Sequence, residues 1–87
     1  MKIPVLTYRA APQGYHRSAI YNGASGGLPW FRELQSQANQ ELAWAEAVTW
    51  ARDYAARDPY GNMAQAVGVV AFNGQWRGVV NYYHSNT

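Results

Sequence analysis

The sequence predicts a small α+β domain of order β-β-α-β-β, an antiparallel sheet of two β-hairpins with one central helix packed on one face. Three observations predict it. The first is an alanine-rich segment with helical periodicity, SQANQELAWAEAVTWARDYAAR (36–57). The second is Asn73-Gly74 between two β-rich runs near the C-terminus, and the third is a pair of β-rich runs near the N-terminus. A chain of 87 residues is expected to form one domain, residues 1–87.

The N-terminal part is predicted to be the first hairpin. Residues 3–10 (IPVLTYRA) and 15–21 (YHRSAIY) are rich in β-branched and aromatic side chains, and a proline-containing turn lies between them. The register stays open at this point. A two-residue turn pairs Val5 with Ile20, whereas a three-residue turn pairs Leu6 with Ile20.

The segment before the helix is predicted to be irregular. Residues 22–27 (NGASGG) are small and polar and are expected to form a connecting loop. Residues 28–36 are expected to be a loop or a short turn of helix. Pro29 suits a first helical turn, but a helix here would add a second apolar stripe, with Phe31 and Leu34, that must be covered.

The helix is predicted to end at Asp58-Pro59, because the residue before proline is disfavoured in the α region. Ser36 or Asn39 is expected to cap its start. Trp50 lies at the border of the apolar stripe, so it either covers an edge of the core or anchors a partner protein. The stripe predicted to face the sheet consists of Trp44, Ala47, Val48, Ala51, Tyr54 and Ala55.

The C-terminal hairpin is predicted to turn at Asn73-Gly74, with Phe72 opposite Gln75. Strand alternation then sorts its side chains onto two faces. The face predicted to receive the helix carries Ala71, Trp76, Val69, Val67, Val80 and Tyr82. The outer face, which no other helix is predicted to cover, carries Phe72, Val70, Val79, Arg77, Asn81 and Gln75. Gly68 and Gly78 are expected to mark a bulge or a close approach of two backbones.

Composition narrows the classes of function. The chain has no cysteine, and its two histidines, His16 and His84, lie far apart, so we predict no metal and no cofactor. No apolar run reaches the roughly 18 residues that a membrane span needs, and the N-terminus lacks the apolar core of a signal peptide. The sequence therefore predicts a cytoplasmic protein that does not contact a membrane.

No group of side chains indicates catalysis. Ser18 is two residues from His16, but no acid is placed to orient the histidine. Glu46 and Asp53 share a helix face at a separation too wide for a pair of catalytic carboxylates. We therefore predict that the protein is not an enzyme.

Two binding functions remain. Tyrosines and arginines alternate in the first hairpin, as in small single-stranded nucleic-acid binders, and this is the alternative function. The formal net charge of only +2 and the uncovered outer sheet face instead favour a protein partner, with a homodimer as a further option. The residues predicted to bind that partner are Arg77, Phe72, Trp50, Arg17, Tyr21 and Asn81.

A short cysteine-free chain with VLTYRAA and YHRSAIY strands, one alanine-rich helix and a closing VGVVAFNGQWRGVVNYY hairpin is similar in layout to small phage-encoded anti-CRISPR proteins of type I systems. The resemblance implies a non-catalytic inhibitor, encoded by a phage or mobile element, that occupies a functional surface of a host CRISPR effector complex in the host cytoplasm. Many members of that group are acidic DNA mimics. Because this chain is mildly basic, we expect an ordinary protein–protein contact.

Overall fold

The computed structural model describes residues 2–8, 21–23, 30–58 and 61–83. Within these ranges, one helix packs on one face of a five-stranded sheet, and this confirms the predicted α+β class. The elements in chain order are β1 (Val5–Tyr8), β2 (Tyr21–Asn22), β3 (Trp30–Gln37), α1 (Gln40–Arg57), β4 (Met63–Phe72) and β5 (Gln75–Tyr83). The described helix is not long and apolar enough to cross a membrane.

The sheet is mixed rather than wholly antiparallel. Its strand order is β2-β1-β4-β5-β3. β4 and β5 form the predicted hairpin, with Phe72 opposite Gln75, but β1 runs parallel to β4, with Val5 beside Val69. The prediction that all strands are antiparallel is wrong at this junction. Because β3 occupies the outer edge of β5, the N-terminal strands pair along the other side of the hairpin, on β4.

β3 is the largest departure from the prediction. Residues 30–37 form a strand antiparallel to β5, where the sequence suggested a loop or a turn of helix. Residues 30–37 have only a weak intrinsic preference for either helix or strand. They form a strand because the free edge of β5 offers hydrogen-bond partners to their backbone, and such tertiary contacts outweigh weak local preferences. Leu34 and Gln35 lie opposite the single Gly78, so β3 contains a bulge.

The N-terminal strands pair in neither of the two predicted registers. Tyr8 lies opposite Tyr21 in β1 and β2, whereas each predicted register placed Ile20 opposite Val5 or Leu6. Ile20 itself lies outside the described residues.

The helix ends at Arg57 as predicted but begins at Gln40, because the preceding residues, including Ser36, belong to β3 and a bend. Asn39 is the N-cap, and its side-chain oxygen accepts a hydrogen bond from the backbone nitrogen of Leu42 at 2.9 Å. Of the two predicted caps, Asn39 is the one used.

The helix lies close to the sheet and contacts it through its alanines. Its buried residues are Ala43, Ala47 and Ala51, while Val48 of the predicted stripe is 38% exposed. Gly78 of β5 makes this approach possible, because a Cβ there would collide with the Ala43 carbonyl oxygen and lie 2.9 Å from Ala47 Cβ. Small residues on both elements therefore set the helix–sheet distance.

A second bulge redistributes the valines of β4. The register shifts between Ala66 and Gly68, and Val67 joins the buried cluster on the side away from the helix instead of the helix side as predicted. Gly68 also accommodates β1, because a Cβ at this position would lie 2.8 Å from the Pro4 carbonyl oxygen and 2.9 Å from Leu6 Cγ. The two predicted roles of Gly68 and Gly78, bulge and close approach, are both confirmed.

Candidate interaction surface

The residues predicted to bind a partner are divided between the two sides of the sheet. Arg77, Phe72 and Tyr21 lie on the face away from α1. Trp50 belongs to α1 and contacts Tyr82 of β5 on the helix side, with ring centroids 5.9 Å apart. Arg17 lies outside the described residues.

Asn81 does not belong to the surface. Its side chain is fully buried, and neither amide atom has a hydrogen-bond partner within the described part of the chain. It lies beside Phe31 of β3 and Gln65 of β4. A partner that touches the outer surface therefore does not contact this amide.

Arg77 is the centre of a cluster that we call the Arg77 platform: Tyr8, Glu33, Ser36, Phe72 and Arg77. One guanidinium nitrogen forms an ion pair with Glu33 over 3.1 Å, and Nε donates to Ser36 Oγ at 3.1 Å. The guanidinium carbon lies 3.7 Å from the centroid of the Phe72 ring, a cation–π contact. Three different contacts thus fix the orientation of the Arg77 side chain.

Glu33 binds two tyrosines as well as the arginine. Its second carboxylate oxygen accepts hydrogen bonds from the Tyr8 hydroxyl at 2.8 Å and from the Tyr21 hydroxyl at 2.6 Å. The negative charge of the Glu33 carboxylate and the positive charge of the Arg77 guanidinium neutralise each other. Sequence reasoning missed Glu33, because it lay in a segment expected to be a loop, where an acidic residue carries no signal.

These hydrogen bonds keep both phenols protonated. Burial, followed by the hydrogen bond to Glu33 and its negative charge, raises the pKa of Tyr8 to about 12. The same causes raise the pKa of the more deeply buried Tyr21 well above its ordinary value. A general base or nucleophile works best with a pKa near the working pH, so neither phenol is suited to either of these two roles.

Aromatic side chains cover much of the sheet face that was predicted to be open. The rings of Tyr8 and Tyr21 lie 5.7 Å apart, and those of Tyr21 and Phe31 lie 5.6 Å apart. Beneath this side of the molecule, Val70 and Val79 are buried. These two valines were predicted to lie on a face that no other helix covers, and the structure shows that they are buried. The platform is partly accessible, because Tyr8 is 43% exposed and the Arg77 side chain 31%.

Trp50 lies on a second feature, a groove along the outer edge of β3. This edge groove has a volume of about 420 Å³, and its lining residues are Arg32, Glu33, Leu34, Gln35, Glu46, Trp50 and Arg77. Trp50 stacks on Tyr54 at 5.1 Å, and the guanidinium of Arg32 lies 5.7 Å from its ring. Trp50 thus packs against aromatic side chains at the edge of the sheet, and it lines the same groove as Arg77.

Comparison with known proteins finds no match to a family model, a curated sequence or a solved structure. The described residues contain no group of three or more acidic or histidine side chains placed to hold a metal ion.

Proposed function

We propose that this chain is a non-catalytic protein-binding module, an inhibitor encoded by a phage or mobile element, that acts in the host cytoplasm through the Arg77 platform. The observation that carries the proposal is the fixed stack of Arg77 on Phe72, held by Glu33 and Ser36. Arginine and aromatic residues are over-represented among binding hot spots. A side chain already held in one orientation loses little conformational freedom on binding, so more of its contact energy contributes to affinity.

The platform suits a protein better than a nucleic acid. A phosphate that approached Arg77 would meet the carboxylate of Glu33, which pairs with one guanidinium nitrogen and would repel the phosphate. The hydroxyl groups of Tyr8 and Tyr21 are also engaged by Glu33. A neutral aromatic surface of this kind matches an apolar and hydrogen-bonding protein patch.

Type I CRISPR effector complexes are the first targets to test, because the chain resembles anti-CRISPR proteins in layout. The experiment is an affinity capture with the tagged protein from a bacterial lysate that contains an active type I system, with and without nuclease treatment. We expect an effector subunit to be retained in stoichiometric amount after nuclease treatment. The proposal is rejected if the captured proteins disappear with the nucleic acid, and the single-strand-binding alternative then takes its place.

Point variants connect the captured partner to the platform. We expect Arg77→Ala and Phe72→Ala each to weaken binding by about thirtyfold or more, as hot-spot residues do. Leu42→Ala is the matched control, because Leu42 is an apolar side chain of similar size that is 51% exposed on α1. Equal affinities for all three variants, at unchanged thermal stability, would place the contact elsewhere on the molecule.

A further inference from the structure

The outer edge of β3 carries charges that are unpaired within the described residues. β3 is the last strand of the sheet, and no described strand pairs with its outer edge, so alternate backbone groups point outward. Arg32 lies over Trp50 on the helix side of this edge. Glu46 of α1 accepts a hydrogen bond from Gln37 Nε2 at 3.2 Å. Neither Arg32 nor Glu46 forms an ion pair with another described residue.

The bulge in β3 places Arg32 and Gln37 on the same face of the sheet. In a regular strand these two residues would point to opposite faces, because an odd number of steps separates them. The extra residue in the bulge shifts the alternation by one, so that Arg32 and Gln37 point to the same face. Arg32 lies beside Val80 and Gln37 beside Trp76. Gln37 in turn holds Glu46 on that face. One edge thus presents a cation near one end and an anion near the other.

We propose that a second copy of this chain adds to β3 in antiparallel orientation, around a twofold axis between Leu34 and Gln35. This operation brings Arg32 of each copy opposite Gln37 of the other, beside the carboxylate of Glu46. The axis repeats the contact, so one interface contains two equivalent ion pairs. The two sheets continue into one, and the two edge grooves face each other.

The second copy fits this edge better than an unrelated extended segment. A foreign strand would need an acid opposite Arg32 and a base opposite Glu46 at the correct spacing, whereas symmetry supplies both in a second copy. The helices leave room for this arrangement. Because α1 lies over β4 and β5, the two helix axes would stand about four strand spacings, roughly 19 Å, apart, which exceeds the diameter of a helix with its side chains.

The test is the oligomeric state of the full chain, measured by light scattering behind size exclusion and by sedimentation velocity over a wide concentration range. We expect the wild type to approach twice the chain mass of 9.7 kDa. We expect R32E and E46R each to raise the dimer dissociation constant by about tenfold or more, because like charges then face each other. R52E is the control, since Arg52 is exposed on α1 and does not line the edge groove. It should dimerise like the wild type.

The decisive experiment mixes the R32E and E46R variants. An R32E chain carries two acids at this edge and an E46R chain carries two bases, so an equimolar mixture should form a heterodimer with a lower dissociation constant than the homodimer of either variant. The R32E/E46R double variant should also regain dimerisation. The proposal is overturned by a wild type that stays monomeric at millimolar concentration, by single variants that dimerise normally, or by a mixture that remains monomeric. A monomer that instead captures an extended segment of another protein at this edge would equally refute the second copy as its occupant.

Discussion

The hydroxyl group of Tyr21 donates a hydrogen bond to the carboxylate of Glu33 over 2.6 Å, although three strands lie between β2 and β3 in the sheet. At about 4.8 Å per strand, the two backbones would stand roughly 19 Å apart in a flat sheet. The side chains meet because the sheet twists and curls toward this face. The contact joins the two edge strands on the side opposite the helix.

The first prediction concerns Glu33. Glu33→Ala removes the ion pair with Arg77 and leaves two tyrosine hydroxyls without their acceptor, so we expect the free energy of unfolding to fall by about 2 kcal/mol. Glu33→Gln keeps the size and part of the hydrogen bonding and should lose less. Urea denaturation measures both. If Glu33→Ala unfolds at the same urea concentration as the wild type, the network makes no net contribution to stability.

The second prediction concerns alkaline pH. The folded state raises the pKa of Tyr8 from 10.0 to about 12 and raises that of Tyr21 as well, so the folded chain holds protons that the unfolded chain releases. The stability that these two tyrosines contribute should therefore be constant below about pH 10 and should fall as the pH rises toward 12. Burial also raises the pKa of Tyr54 and acts in the same direction.

Phenolate absorbance and thermal melts over this range provide the check. Tyr21→Phe should flatten the fall in stability, since it removes one of the titrating groups. The assignment of the raised pKa values to this network is wrong if the tyrosines titrate together at their ordinary pKa while the chain stays folded.

The third prediction concerns Gly68 and Gly78, the two glycines that lie in the strands of the C-terminal hairpin. Gly78→Ala forces the added methyl group against Ala43 and Ala47 and should cost about 1 to 3 kcal/mol, the usual effect of overpacking. Gly68→Ala should cost a similar amount but act on β1, because its methyl group meets Pro4 and Leu6 instead. Hydrogen exchange distinguishes the two variants. Loss of protection in α1 is expected only for Gly78→Ala, and the interpretation fails if both variants loosen the same element.

The fourth prediction concerns Asn81. Because its buried amide has no partner in the described residues, Asn81→Leu removes an unsatisfied polar group and keeps the branched shape of the side chain. We expect the free energy of unfolding to rise by about 1 kcal/mol. Asn81→Ala, which leaves a cavity, should lower it. A clear loss of stability in the leucine variant would mean that the amide is satisfied in solution by a group such as a bound water.

The sequence predicted the elements whose signals are local. Asn73-Gly74 specified the turn of the second hairpin because type I′ geometry needs positive φ at both positions, and these residues have φ values of 50° and 77°. Asn39 was predicted as a helix cap from its own side chain, which is also a local signal. β3 has no such signal, because its strand form depends on the free edge of β5. The parallel pairing of β1 with β4 likewise cannot be predicted from the hydrophobic periodicity of either strand.

The candidate site was predicted only in part, for the same physical reason. Arg77 and Phe72 were named from strand alternation around a turn that the sequence specifies. Tyr21 was named from the alternation of tyrosines and arginines in the first hairpin. Glu33, which holds Arg77 and Tyr21 together, comes from β3 and so was missed. The bulges in β3 and β4 change which residues share a face, and alternation alone cannot locate them.

The parallel pairing of β1 with β4 has a consequence for the order of folding. β1 is held by residues far along the chain, through the Val5–Val69 pairing and the hydrogen bond from Val69 N to the Pro4 carbonyl oxygen at 3.0 Å. Closing so long a loop is entropically costly before the C-terminal hairpin exists, and non-local pairing slows folding. During synthesis, the N-terminal strand must therefore wait for nearly the whole chain to emerge before it can dock.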